Sequence, residues 1–174
     1  MKSISELRNK LTIDPQEISS SIKYFKKLTI DWDVFLPTIG KNLQRDFVWT
    51  IEQKRSLIDS VIVGRYIPHL AVINIIDPKD EQKDINQIID GKQRLSTIFD
   101  FIDDKFTIII DDKEWVFSEL PSDYKIAITY SHIRYYVVNE EWKKRITDED
   151  KINWFKFINF AGTPQDIEHL NTLK

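Results

Sequence analysis

The sequence predicts an α+β domain: a small mixed sheet with flanking helices, then further helices and a hairpin in the C-terminal half. Three observations carry this. "HLAVINII" (69–76) and "INQIID" (85–90) are apolar, β-branched runs of strand length. "TIEQKRSLIDSVIVG" and "QRLSTIFDFIDD" place apolar residues at helical spacing. Composition supplies the third: 41% of the 174 residues are hydrophobic and 30% charged, with 4 Gly and 6 Pro, which describes a folded chain with few long linkers. One domain over 1–174 is expected, with its core at 28–117 and a strand and helical extension at 118–174.

Taken in order, "DPQEISSSIKYFKKL" reads as a helix, with Asp14 at the N-cap, Pro15 in the first turn and Glu17 at the capping-box position. "IDWDVFLPTI" reads as a strand or an extended arm. The next helix has the clearest punctuation. Thr50 caps it, Gln53 completes a capping box, Leu57, Ile58, Val61 and Ile62 form its stripe, and Gly64 stops it. The two apolar runs then form a hairpin-like ribbon around the acidic turn "DPKDEQKD". Leu95, Ile98, Phe99 and Ile102 define an amphipathic helix. "FTIII", the Asp111-Asp112 turn and "EWVF" make a hairpin, and "IRYYVV" a further strand. "TDEDKINWFKFIN" is a helix capped by Thr147, and "TPQDIEHLNTL" another, with Thr163 as cap and Pro164 at its first position.

Charge and cysteine usage narrow the chemistry. The net charge is −3 and the pI near 5.7, so a polyanion would need a local basic patch. No cysteine is present, which removes disulfides, thiol catalysis and cysteine metal sites, and suits a reducing interior. "MKSISELRNKL" lacks an apolar signal core and no apolar run is of membrane-spanning length, so a cytoplasmic location and no membrane partner are expected.

One turn breaks the electrostatic pattern. The helix after Thr147 begins Asp148-Glu149-Asp150, as the helix dipole favours. The helix after Gly91 begins with Lys92 and Arg94 instead, and each such charge costs roughly 0.3–1 kcal/mol at that end. An anion would resolve this: free N–H groups, the dipole and two cations would cradle a phosphate, with Gly91 allowing close approach. Alternatively Asp90 neutralises the cluster, or the long side chains reach solvent.

"QRDFVW" (44–49) followed by "IIDGKQRLST" (88–97) resembles the N-terminal domain of GmrSD-type modification-dependent restriction endonucleases, a family with a Q-R-x-[FY]-x-W arm and a D-G-Q-Q-R motif. The likeness spans about Leu28 to Asp104. Lys92 stands at the first glutamine of the motif. A weaker echo lies in "INFAGTP", where Asn159 and Gly162 match a family pattern whose arginine position holds Phe157. The resemblance implies a ParB/sulfiredoxin-like fold that binds a nucleoside triphosphate and hydrolyses it with Mg²⁺. Such a domain would stand alone in a bacterial cell or on a phage, in phage–host conflict or DNA metabolism, with DNA or a separate nuclease or effector as partner. Nuclease activity is not expected from this chain, because His69, His132 and His169 are scattered.

On this reading Asp90 and Gln93 are the candidate catalytic residues, with Asp90 also the candidate Mg²⁺ ligand. Gln44, Arg45, Gly91, Lys92, Arg94 and Ser96 are the candidate phosphate-binding residues, Arg94 through bidentate contact. Ser96 and Thr97 offer hydroxyls to phosphate or face solvent. Phe47 stacks on a base or packs inside, Trp49 is assigned to the core, and His69 is read as structural. Two other functions compete. From Lys41 to Arg65 five Lys/Arg stand against three Asp/Glu, which with the aromatics suits a nucleic-acid-binding module without hydrolysis. The third is a non-catalytic interaction protein with the same fold.

Overall fold

The computed structural model describes residues 13–80, 82–141 and 145–160, the last residue by its backbone only. The predicted helix at "TPQDIEHLNTL" and Gly162 lie outside the described residues.

The chain forms a five-stranded mixed sheet with helices on one face and a loop plus a helix on the other. Strand β1 (Gln16–Ser21) leads into a one-turn helix, α1 (Ile22–Phe25). Short strands follow: β2 (Ile30–Asp31), β3 (Phe35–Leu36) and β4 (Lys41–Asn42). Helix α2 (Ile51–Ile62) precedes β5 (Leu70–Ile76) and β6 (Asp84–Asp90), and α3 (Lys92–Ile102) begins just after β6. The hairpin β7 (Ile108–Ile110) and β8 (Lys113–Trp115) comes next. Helix α4 (Ser122–Tyr130), β9 (His132–Asn139) and α5 (Asp148–Phe160) complete the domain. The strand order is β1-β9-β5-β6-β2, with β5 antiparallel to β6 and parallel to β9.

Period-2 alternation sorts the sheet's side chains between two cores. Leu70, Val72 and Ile88 face α2, α3 and α4, where Ile58, Leu95, Ile98, Phe101 and Ile128 are fully buried. Ala71, Ile73 and Ile89 face the other way, under Val34, Leu36 and Leu43 of the connecting loop and Trp154 and Phe155 of α5. Thr50 and Gln53 form the predicted reciprocal capping box on α2. At α5 the Thr147 hydroxyl accepts from the Asp150 N–H at 3.2 Å, and the Asp150 carboxylate accepts from the Thr147 N–H at 3.0 Å.

Three expectations are corrected. The predicted helix from Asp14 is instead an edge strand. Gln16–Ser21 pairs antiparallel with β9, and Ser21 caps the short α1 by accepting from the Tyr24 N–H at 3.3 Å. The core is also wider than 28–117, because β9 lies between β1 and β5, inside the sheet. Thr97, expected on a phosphate or in solvent, is fully buried. Helix α4 had no counterpart in the sequence reading. Among the described residues no helix is long and apolar enough to cross a membrane.

Candidate functional site

The turn from β6 to α3 is built around a β-bulge. Ala71 pairs with Asp90 and Val72 with Ile88, so Ile89 is the extra residue. A bulge leaves backbone groups without ladder partners. Gln44 supplies them: its side-chain amide donates to the Ile88 carbonyl at 2.8 Å and to the Ile89 carbonyl at 2.6 Å. Gln44 thus ties the extended arm to the strand that carries Asp90, and its amide nitrogen is occupied by protein.

Gly91 follows in the left-handed region, φ 94°, and begins α3 with no side-chain cap. A Cβ at Gly91 would lie 2.2 Å from Leu70 Cδ2 and 3.1 Å from Arg94 Nη2. Only glycine fits a turn that is both left-handed and packed against a core leucine.

Both cations of the turn have protein partners. Arg94 Nη2 donates to Asp90 Oδ2 at 2.7 Å and to the His69 carbonyl at 3.1 Å, while its Nε is enclosed without a partner. Lys92 Nζ donates to Asp33 Oδ1 at 2.6 Å and reaches the Arg45 carbonyl at 3.5 Å. Charges misplaced on the helix dipole are therefore compensated by Asp90 and Asp33. The Asp90 alternative was legible in the sequence and the Asp33 pairing was not.

The remaining candidates are placed as follows. The Arg45 backbone stands at the turn through Lys92, and its side chain is exposed. Gln93 Oε1 accepts from the Val48 N–H at 3.3 Å, which leaves its NH₂ available. Ser96 donates to the Lys92 carbonyl at 2.7 Å, so its hydroxyl is turned back on the helix. Phe47 packs edge-on to Trp49, with ring centroids 6.5 Å apart, and Lys54 lies over the Phe47 ring at 4.4 Å. The His69 ring stands between Tyr66 and Tyr136, which fits a structural histidine.

A cleft of about 550 Å³ opens beside the turn. Glu52, Gln53, Ser56 and Ser60 of α2 line one side, Tyr66, Ile67 and Pro68 another, and Trp49 and Arg94 also reach it. Trp49 is thus half-buried in a cleft wall rather than in the core. The neighbouring Thr50 side chain chiefly holds the Glu52 carboxyl below its usual range, so this wall carries a negative charge at neutral pH. Sequence reasoning missed Tyr66 and Glu52 because neither carries a local signal beyond an exposed aromatic and a first-turn acid.

No group of three or more His, Asp or Glu side chains able to hold a metal occurs among the described residues. Asp90, the carboxylate at the turn, could serve as the single protein ligand of an ion that arrives on a ligand's phosphates, as Mg²⁺ commonly does.

The fold and the turn define an α+β domain in which a strand–bulge–glycine–helix element presents paired cations beside an aromatic-lined cleft. A family model, the N-terminal domain of GmrSD restriction endonucleases, matches residues 19–173. The chain belongs to this family, and the match extends well past the Leu28–Asp104 likeness of the motifs. No curated protein and no solved structure matches it.

Proposed function

We propose that this domain binds a nucleoside triphosphate and hydrolyses it, as the nucleotide-responsive part of a restriction system. One observation carries the reading: Arg94 belongs both to the glycine turn and to the cleft, so one guanidinium joins an anion-compatible turn to a space of nucleoside size. The phosphates lie on the Gly91 turn, with Arg94 and Lys92 against them and Arg45 as the outer cation. The nucleoside occupies the cleft, with Trp49 or Tyr66 offering a ring face for the base.

A phosphate that takes Arg94 competes with Asp90 for the same guanidinium. Released from Arg94, Asp90 becomes a free carboxylate at the turn, able to accept a proton from water or to meet a phosphate-bound Mg²⁺. Gln93, held through its carbonyl by Val48, presents its NH₂ to a phosphate oxygen or to the attacking water. Water attacks the terminal phosphorus, the bond to the bridging oxygen breaks, and a nucleoside diphosphate and phosphate leave. The rate gain comes mainly from position and charge. DNA cleavage is assigned to a nuclease or effector outside these 174 residues that reads the nucleotide state.

The test is a thermal-shift and phosphate-release panel with ATP, GTP, CTP and UTP, with and without Mg²⁺, on wild type and Arg94→Ala. Arg94→Ala is expected to weaken nucleotide binding by roughly 1.5–3 kcal/mol, the scale of a hydrogen bond to a charged group. It also lowers the stability of the empty protein, because Asp90 and the His69 carbonyl lose their donor. Unchanged nucleotide affinity in Arg94→Ala, or no response of wild type to any of the four, overturns the proposal.

A further inference from the structure

Asp33 does more than balance a charge. Its side chain is more than half exposed, whereas the Lys92 side chain it holds is 14% exposed. A solvated anion thus reaches the better buried cation of the turn. The loop is set up for that reach. Asp31 Oδ1 accepts from the N–H groups of Asp33 and Val34 at 3.2 and 3.0 Å, and Asp31 Oδ2 accepts from the buried Gln87 amide at 2.9 Å. The Gln44 N–H donates to the Asp33 carbonyl at 3.2 Å. Val34 is fully buried at φ 52°, a left-handed conformation that a β-branched residue adopts only when its surroundings impose it. The backbone on both sides of Asp33 is therefore fixed, and in a strained form, while its side chain lies across Lys92.

Resting on the nucleotide reading above, we propose that Asp33 is an internal anion that occupies the Lys92 end of the turn until a polyphosphate displaces it, so that it sets which anions the site accepts. Exchanging one carboxylate for another singly charged anion gains little. A di- or triphosphate brings several charges, and its remaining oxygens reach Arg94 and the free N–H groups of α3 while one displaces Asp33. After displacement the Asp33 side chain turns into water, where its exposure already places half of it.

The test is titration calorimetry with ATP, GTP, CTP, UTP and inorganic tripolyphosphate, on wild type, Asp33→Asn, Lys92→Gln and the double variant, with Asp33→Ser as a second truncation. Asp33→Asn and Asp33→Ser are expected to bind the preferred nucleotide about fivefold more tightly, the effect of freeing a partly exposed ion pair. In the Lys92→Gln background the same change should leave affinity where it was, since no ammonium remains to be released. The proposal fails if Asp33→Asn binds equally or more weakly than wild type. It also fails if the gain persists without Lys92, which would mark a general charge effect. Absence of nucleotide binding in every variant overturns the underlying reading, whereas binding by wild type with no gain in Asp33→Asn overturns the internal anion alone.

Discussion

Replacing Gly91 by alanine tests the turn on which the candidate site depends. Two costs add. The residue must remain at φ 94°, which costs an L-amino acid roughly 1–2 kcal/mol. The new methyl would also sit 2.2 Å from Leu70 Cδ2, and Leu70 is 1% exposed, so it has no solvent to retreat into; such overpacking costs roughly 1–3 kcal/mol. The sum, roughly 2–5 kcal/mol, is a large share of a small domain's stability. Urea unfolding followed by far-UV circular dichroism measures it, with the slope expected to stay at the wild-type value. A Leu70→Ala partner separates the costs. In that background the steric part disappears and the backbone part stays, giving a favourable coupling of roughly 1–3 kcal/mol. A loss below about 1 kcal/mol in Gly91→Ala, or no coupling to Leu70, would refute the claim that packing and conformation both demand glycine.

Gln44→Leu keeps the bulk but removes the amide from the Ile88 and Ile89 carbonyls, so it should destabilise by roughly 1–3 kcal/mol in thermal or chemical unfolding. A neutral result would place the bulge's carbonyls on other partners. Asp104 supplies a pH test. The Ser118 N–H donates to its carboxylate at 2.8 Å, and this bond chiefly holds the carboxyl below its ordinary range. A depressed folded value means the stabilisation is present above the unfolded value, about 3.9, and is lost as pH falls through the folded one. Asp104→Asn, which tolerates the φ of 58° there, should flatten that acid limb of the stability curve, and an unaltered limb would assign it to other carboxylates.

What the sequence disclosed depended on how local the cause was. The α2 capping box, the β5–β6 pair and the stripe of α3 rest on residues a few positions apart, and they stand where expected. The Asp14 helix failed because its cap-like signals met a partner far along the chain. Ser19 faces Arg134, and the Ser19 hydroxyl lies 3.2 Å from His132 Nδ1, so tertiary pairing overrode local propensity. Helix α4 was missed because Pro121 stands at its N-cap position without a side-chain cap and it carries a weak apolar stripe, with Ile126 left exposed. At the site, the residue types at 90–94 were legible. Their partners were not, because Asp33 reaches Lys92 across 59 positions through a loop shaped by strain at Val34.

The place of β9 has a consequence for how the chain is made. Synthesis delivers β5, β6 and the whole glycine turn long before β9 leaves the ribosome. Until then β5 has no neighbour on one edge, although Leu70, Ala71, Val72 and Ile73 are all buried in the finished domain. An apolar strand with an open edge is a template for wrong pairing. A chain stopped after the β7–β8 hairpin would keep every residue of the 90–94 turn yet lack the strand that closes β5. Expression of such a fragment is expected to yield aggregate rather than a smaller working domain, and chaperone demand should fall only once residue 139 has emerged.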